Sequence, residues 1–187
     1  MRSTPWIVGC AVAIAVGGCG GSSGGPDGDG AKRLTTTVRD QGHGFDVTYP
    51  AAWHRAAHRL TPALADPREV ISVGTGMLPA GGPCAQFPTR AVAAVSDDGA
   101  FVSVQIRSRR HDPSRAPLAS RLTFRSGTPL ANVECAGTPN RPVGRWIAFQ
   151  DAGREVYAIL VVGRHASPER RAQALAVLNS LRVLPAA

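Results

Sequence analysis

From Gly44 to Tyr49 the chain alternates apolar and polar residues (GFDVTY). A period of two turns one set of side chains inward and the other toward water, so this stretch predicts a half-buried strand. Pro50 ends it, and Trp53 follows after a short turn. Val70 to Met77 (VISVGTGM) predicts a second strand, Phe101 to Ile106 a third by strict alternation, and 121–125 (RLTFR) a fourth. Residues 88–95 (PTRAVAAV) predict a short helix opened by Pro88. Residues 144–150 and 154–163 flank Asp151-Ala152-Gly153, which predicts a hairpin closed by a short glycine-containing loop. Its second arm, Val156 to Val162, is nearly all apolar and is placed centrally in the sheet.

The last element carries the clearest signals. Ser167 supplies an N-cap hydroxyl, Pro168 suits the first helical position, and Glu169 faces the positive end of the helix dipole. The helix runs to about Leu181. Ala174, Leu175, Val177, Leu178 and Leu181 form an apolar stripe, with Arg170, Arg171 and Gln173 assigned to the wet face. The expected architecture is α+β: a mostly antiparallel sheet with its C-terminal helix packed on one face.

The N-terminus has a different pattern. Arg2 precedes an apolar run from Ile7 to Val16, which is too short to span a bilayer as a helix. The run ends in Val16-Gly17-Gly18-Cys19, which resembles the lipobox of bacterial lipoproteins: a branched aliphatic residue, two small residues, then cysteine. The resemblance implies that residues 1–18 are a signal peptide and that the Cys19 thiol takes a diacylglyceryl group. The protein is then expected at the cell membrane, lipid-anchored on its extracytoplasmic face. Residues 20–30 (GGSSGGPDGDG) cannot bury enough apolar surface to order themselves, so 19–37 are expected to be a flexible tether. Residues 38–184 read as a single domain, and 185–187 as a tail.

Of four cysteines, Cys10 leaves with the signal and Cys19 is taken by lipid. Cys84 and Cys135 remain, both beside turn-forming residues. In an oxidising compartment the first expectation is a disulfide between them, with two unpaired thiols as the alternative. The bridge would close a loop of about 50 residues, worth about 4 kcal/mol in the chain-entropy picture.

The formal charge of +8 falls to +7 without Arg2, and Lys32 is the only lysine. The arginines are scattered except for Arg107, Arg109 and Arg110, and no aromatic residues interleave with that cluster as a single-strand nucleic-acid reader would require. Nucleic acid is therefore not expected as a partner. Attraction to anionic lipid or cell-wall polymer is.

No motif for a nucleophile elbow, phosphate loop, zinc protease or dinucleotide fold is present. Gly74-Thr75-Gly76 reads as punctuation at a strand end. His54 and His58 would share a face if they lay on a helix, but Trp53 to Leu60 reads as a surface turn, so no metal or cofactor is expected. His111, Asp112 and Ser114 lie close together in a proline-bounded loop, where turn hydrogen bonds outweigh catalysis. Tyr49, Trp53 and Trp146 could line a cleft but are assigned to the core.

Phe45-Asp46-Val47-Thr48-Tyr49-Pro50, then Trp53, and at the other end Leu178-Asn179-Ser180-Leu181-Arg182, resemble the two ends of the PsbP-like fold as carried by many actinobacterial lipoproteins. That resemblance implies a non-enzymatic binding or assembly module of the cell envelope and no shared catalytic residue. The partner would be another envelope protein or a wall polymer. Capture of a small solute or lipid is the alternative, with a cryptic hydrolase or metalloenzyme behind it.

Overall fold

The computed structural model describes residues 35–110, 122–133 and 143–184. Together they form an α+β fold of antiparallel strands with a C-terminal helix against the sheet. In chain order the elements are β1 (Thr36–Asp40), β2 (Phe45–Tyr49), β3 (His54–Arg55), β4 (Arg68–Gly74), α1 (Thr89–Ala93), β5 (Ala100–Arg110) and β6 (Thr128–Pro129). A single 3₁₀ turn (Leu130–Asn132) follows, then β7 (Val143–Asp151), β8 (Arg154–Val162), α2 (Pro168–Ser180) and β9 (Arg182–Val183). Six strands make one sheet in the order β3-β4-β5-β8-β7-β6, and β1-β2-β9 make a second.

The alternation at 45–49 does what its period requires. Phe45, Val47 and Tyr49 are buried, while Asp46 and Thr48 meet their partners across the ladder. Arg39 Nε donates to Asp46 at 3.2 Å, and the Thr37 and Thr48 hydroxyls lie 3.1 Å apart. These partners sit on β1, which begins at Thr36, inside the stretch expected to be tether. In TTVRD only Val38 is apolar, so the strand is held by its register with β2 rather than by a pattern of its own. The turn back is fixed by Asp40, whose carboxylate accepts from the His43 backbone N–H at 2.9 Å and lies 2.8 Å from its ring. The side-chain bond to His43 holds the Asp40 carboxyl below its ordinary pKa.

The hairpin at 143–162 matches its signal. Ala152 (φ 47°) and Gly153 (φ 74°) are the two loop residues, both left-handed, as the tight turns that follow strand twist require. β8 lies between β5 and β7, in the interior of the sheet as its composition predicts. Val156, Ala158, Leu160 and Val162 turn to the α2 side, while Ile159 and Val161 turn to the other. That second side has a core of its own, in which Leu60, Cys84, Phe87, Ala91, Val92 and Leu130 cover Phe101, Ile159 and Val161.

α2 begins as its sequence requires, with Ser167 Oγ accepting the Arg170 N–H at 3.1 Å. Ala174, Val177 and Leu178 are buried and Leu175 is half-buried, with Leu181 buried just beyond the helix. Gln173 corrects the assignment to the wet face. It is buried, and its carbonyl accepts from Arg170 Nη1 at 3.0 Å, which satisfies the amide oxygen at the edge of the packed face. The chain leaves α2 extended at Leu181 and adds β9 to β2, pairing Phe45 with Val183. Thr48 N–H donates to Ser180 Oγ at 2.9 Å and Val183 N–H to Asp151 Oδ2 at 2.8 Å, so the two sheets and the helix end are joined by side-chain bonds.

Two further expectations are corrected. The second strand stops at Gly74, where Thr75 Oγ1 accepts the Ala100 N–H at 3.0 Å and turns the chain, leaving Met77 exposed. In the expected strand 121–125, residue 121 is outside the described residues and 122–125 are not a strand. Ser126 Oγ accepts the Thr123 N–H at 2.9 Å and Thr123 Oγ1 accepts the Arg125 N–H at 3.2 Å, so local side-chain bonds replace a ladder. Leu122 is buried in the α2-side core, its backbone bonded through both N–H and C=O to the Asn179 amide.

Leu178 is 2 % exposed at the centre of the α2 face. Truncation to alanine should lower stability by about 2–5 kcal/mol, as for other core leucines. Urea melts would check this; a loss below about 0.5 kcal/mol, the size of a surface substitution, would mean that α2 is not docked.

Candidate aromatic and arginine cleft

On the face of the sheet opposite α2, strand alternation brings Gln105 and Arg107 of β5, Tyr157 of β8 and Trp146 of β7 into one row. Loop residues Leu64, Asp66, Pro67, Gln86 and Phe87 wall it in, leaving a cleft of about 260 Å³. Both walls are pinned to β5 on either side of Arg107. Gln105 Nε2 donates to the Gln86 carbonyl at 3.0 Å, and Ser108 N–H donates to Asp66 Oδ1 at 2.9 Å.

Within the cleft the Trp146 and Tyr157 rings are stacked, with centroids 5.5 Å apart and planes 9° from parallel. They are diagonal neighbours across β7 and β8, a separation that aromatic side chains can bridge. Phe87 meets Trp146 at 6.5 Å and 59°. The Arg107 guanidinium lies 5.6 Å from the Tyr157 ring centre, a cation–π distance. Arg107 Nη1 lies 3.3 Å from Glu155 Oε2, and the same oxygen accepts from the Tyr157 hydroxyl at 2.7 Å. The buried Glu155 carboxylate thus sets both the arginine and the tyrosine. Arg107 Nε is buried without a hydrogen-bond partner. The cleft offers stacked aromatic edges, a planar cation and amide groups within one small volume.

A groove of about 490 Å³ lies between β7 and the end of α2, lined by Leu122, Phe149, Leu178 and Leu181 among others. Of its polar side chains, Asn179 is engaged by Leu122, Asp151 by Val183 and Arg182 by the carbonyls of Asn179 and Leu181, which leaves the Gln150 side chain without a hydrogen-bond partner among the described residues. It offers less to a ligand than the aromatic cleft does.

The residues singled out in the sequence separate in space. Tyr49 and Trp53 are buried in the α2-side core as expected. Trp146 is corrected: it is half-buried and lines the cleft, because its position on β7 faces away from α2 near the sheet edge. Arg107 enters the cleft, while nothing is described of the Arg109 and Arg110 side chains. His54 lies on β3 and His58 in the bend after it, both exposed, rather than on one helix. Among the described residues no group of three metal-ligating side chains converges. Gly74 ends β4. Cys84 is buried beside Phe87's core and is disulfide-bonded. Cys10, Cys19 and Cys135 lie outside the described residues, as do His111, Asp112 and Ser114. The sequence reading missed Phe87, Gln105 and Tyr157. Tyr157 had a usable signal: with Glu155 it occupies the phase of β8 opposite to Val156, Ala158 and Leu160.

The different surroundings of the two tryptophans predict different costs of truncation. Trp53→Ala should cost about 3–5 kcal/mol, as for a buried aromatic ring. Trp146→Ala should cost about 1–2 kcal/mol, the worth of an aromatic pair with partial burial. Chemical denaturation of both variants would check the order, and equal losses would place Trp146 in the core. Compared with protein-family models and with curated proteins, the chain finds no match.

Proposed function

We propose that this protein is an extracytoplasmic lipoprotein, anchored through Cys19, whose PsbP-like domain is a non-enzymatic binding or assembly module of the cell envelope. The aromatic and arginine cleft carries this reading. Tryptophan, tyrosine and arginine are the residues most enriched at interaction hot spots, and here they are neighbours in one walled depression. At about 260 Å³ the cleft is smaller than the usual range for small-molecule pockets. Its size favours one inserted side chain or terminal group of a larger partner over enclosure of a solute or lipid. The Glu155 contacts prearrange Arg107 and Tyr157, so little side-chain freedom is lost on binding.

A photoreactive amino acid at Gln86, exposed on the cleft wall, should capture an envelope component on intact cells, and Arg107→Ala or Trp146→Ala should abolish that capture. Capture that persists in both variants would separate the cleft from binding. A small molecule retained by the purified protein and seen by native mass spectrometry would favour the solute-capture alternative.

Anchoring has its own test. Mass spectrometry of the mature N-terminal peptide should show cleavage before Cys19 and added acyl mass. An intact Met1 terminus, or full membrane partition of Cys19→Ala, would overturn the anchor.

The Cys84 partner is proposed to be Cys135, in a structural bridge rather than a catalytic one. Cys135 follows Glu134, whose charge opposes thiolate formation. Thiol titration of the native exported domain should find none free. Two free thiols would exclude the pair, and rapid turnover by a thioredoxin-type reductant would revive a redox role.

A further inference from the structure

A second cleft, of about 150 Å³, opens where the β1–β2 turn approaches β3 and β4. Arg55, His58, Arg59 and Arg68 line it, with Asp40 and Glu69 as its carboxylates. Both carboxylates are already committed. Asp40 accepts from His43. Glu69, buried, accepts from the Thr61 N–H and hydroxyl at 2.7 Å each and from the Ser72 hydroxyl at 2.6 Å. Arg59 is fixed by bonds to the carbonyls of Leu64 and Pro62 at 3.1 Å each. Arg55 and Arg68 are exposed, and neither has an ion-pair or hydrogen-bond partner among the described residues. Two guanidinium groups without partners beside a third that is braced make a cationic rim.

Its place in the fold says which anion. Just before β1, the Thr35 N–H donates to the Tyr49 carbonyl at 3.2 Å and its hydroxyl accepts the Ala51 N–H at 3.1 Å. Arg55 lies four residues beyond Ala51, within about 14 Å even for a fully extended chain. Thr35, which on the anchor reading follows the tether, and the cationic rim therefore share one corner of the molecule. The cleft has the volume of about five water molecules, enough for a phosphate group but not for an acyl chain. Guanidinium forks match phosphate oxygens in geometry and charge.

We propose that this corner faces the membrane and that the cleft takes the phosphate of an anionic phospholipid headgroup, orienting a domain that the tether alone would leave free to tumble. The inference rests on the anchor reading for its biological setting, but its test does not. The chain from residue 19 onward, carrying Cys19→Ala, retains every core residue and has no acyl chain. It should float with vesicles of phosphatidylcholine and phosphatidylglycerol but not with phosphatidylcholine alone. Arg55→Gln and Arg68→Gln should each weaken that binding about fivefold, the worth of one basic residue at an anionic surface. Arg125→Gln removes the same charge from an exposed turn outside the cleft and should leave binding unchanged. Equal flotation on neutral vesicles would overturn the proposal, as would equal losses from Arg125→Gln and the two cleft variants. Binding of inorganic phosphate, read from the Arg55 and Arg68 side-chain nitrogen resonances, without any flotation would also overturn it by making this a free-ion site. Failure here leaves Cys19 lipidation untouched, since that is read separately from the N-terminal peptide.

Discussion

The pairing of β5 with β8 is the constraint on which the rest of the structure depends. From Ala100 opposite Val162 to Ile106 opposite Val156 the two strands are in unbroken antiparallel register, and every residue of this stretch except Tyr157 is buried. Every other layer is placed by what this pair must hide. Val102, Val104, Ala158 and Leu160 require a cover on one side, which α2 supplies through Ala174, Val177 and Leu178. Phe101, Ile159 and Val161 require a cover on the other, which the segment around α1 and the turn at Leu130 supply. Burial of this kind is the main favourable term in folding, and it has no direction of its own. The ladder gives it direction, because a slip of one residue would exchange the two faces.

The second face differs from the first in carrying polar residues. Ser103 and Gln105 of β5 alternate with the apolar set, and both are buried. Each has its partner: the Ser103 and Ser72 hydroxyls lie 2.8 Å apart, and Gln105 donates to the Gln86 carbonyl. A buried polar group without a partner would be costly, so these side chains fix where the covering segments lie. Farther along the same face the cover thins, and Arg107, Tyr157 and Trp146 are left half-buried. The cleft is the place where a covered sheet face becomes an uncovered one. Its polar groups are held by the same bonds that end the core.

Two distinct surfaces result. The aromatic cleft is walled by loops, and its Arg107 is paired with Glu155. The corner around Arg55 and Arg68 is cationic and lies on the side of the domain where Thr35 meets Ala51. A domain held at a membrane needs one surface that tolerates the bilayer and another that stays free for a partner. The proposed roles of the two clefts divide along those lines.

The strands at 45–49 and 101–106, the hairpin at 151–153 and the capped helix at 168 were legible in the sequence. Each is specified by local chemistry: side-chain alternation, two left-handed loop positions, a hydroxyl and a proline at a helix start. The central place of β8 was legible too, from a run with almost no polar residue. What only the tertiary structure decided were the elements whose stability comes from a distant partner. β1 exists because β2 offers it a ladder and two polar pairs, and β9 because the end of α2 delivers Val183 beside Phe45. Leu122 is buried through Asn179, 57 residues away, while its neighbours Thr123 and Ser126 close a turn that propensity alone reads as strand. The aromatic cleft belongs to this second group. Trp146 and Tyr157 are eleven positions apart in the chain and become neighbours only through the β7–β8 register. Period and composition report which residues must be hidden, but not which face of a sheet remains uncovered, because that depends on how far the covering loops reach.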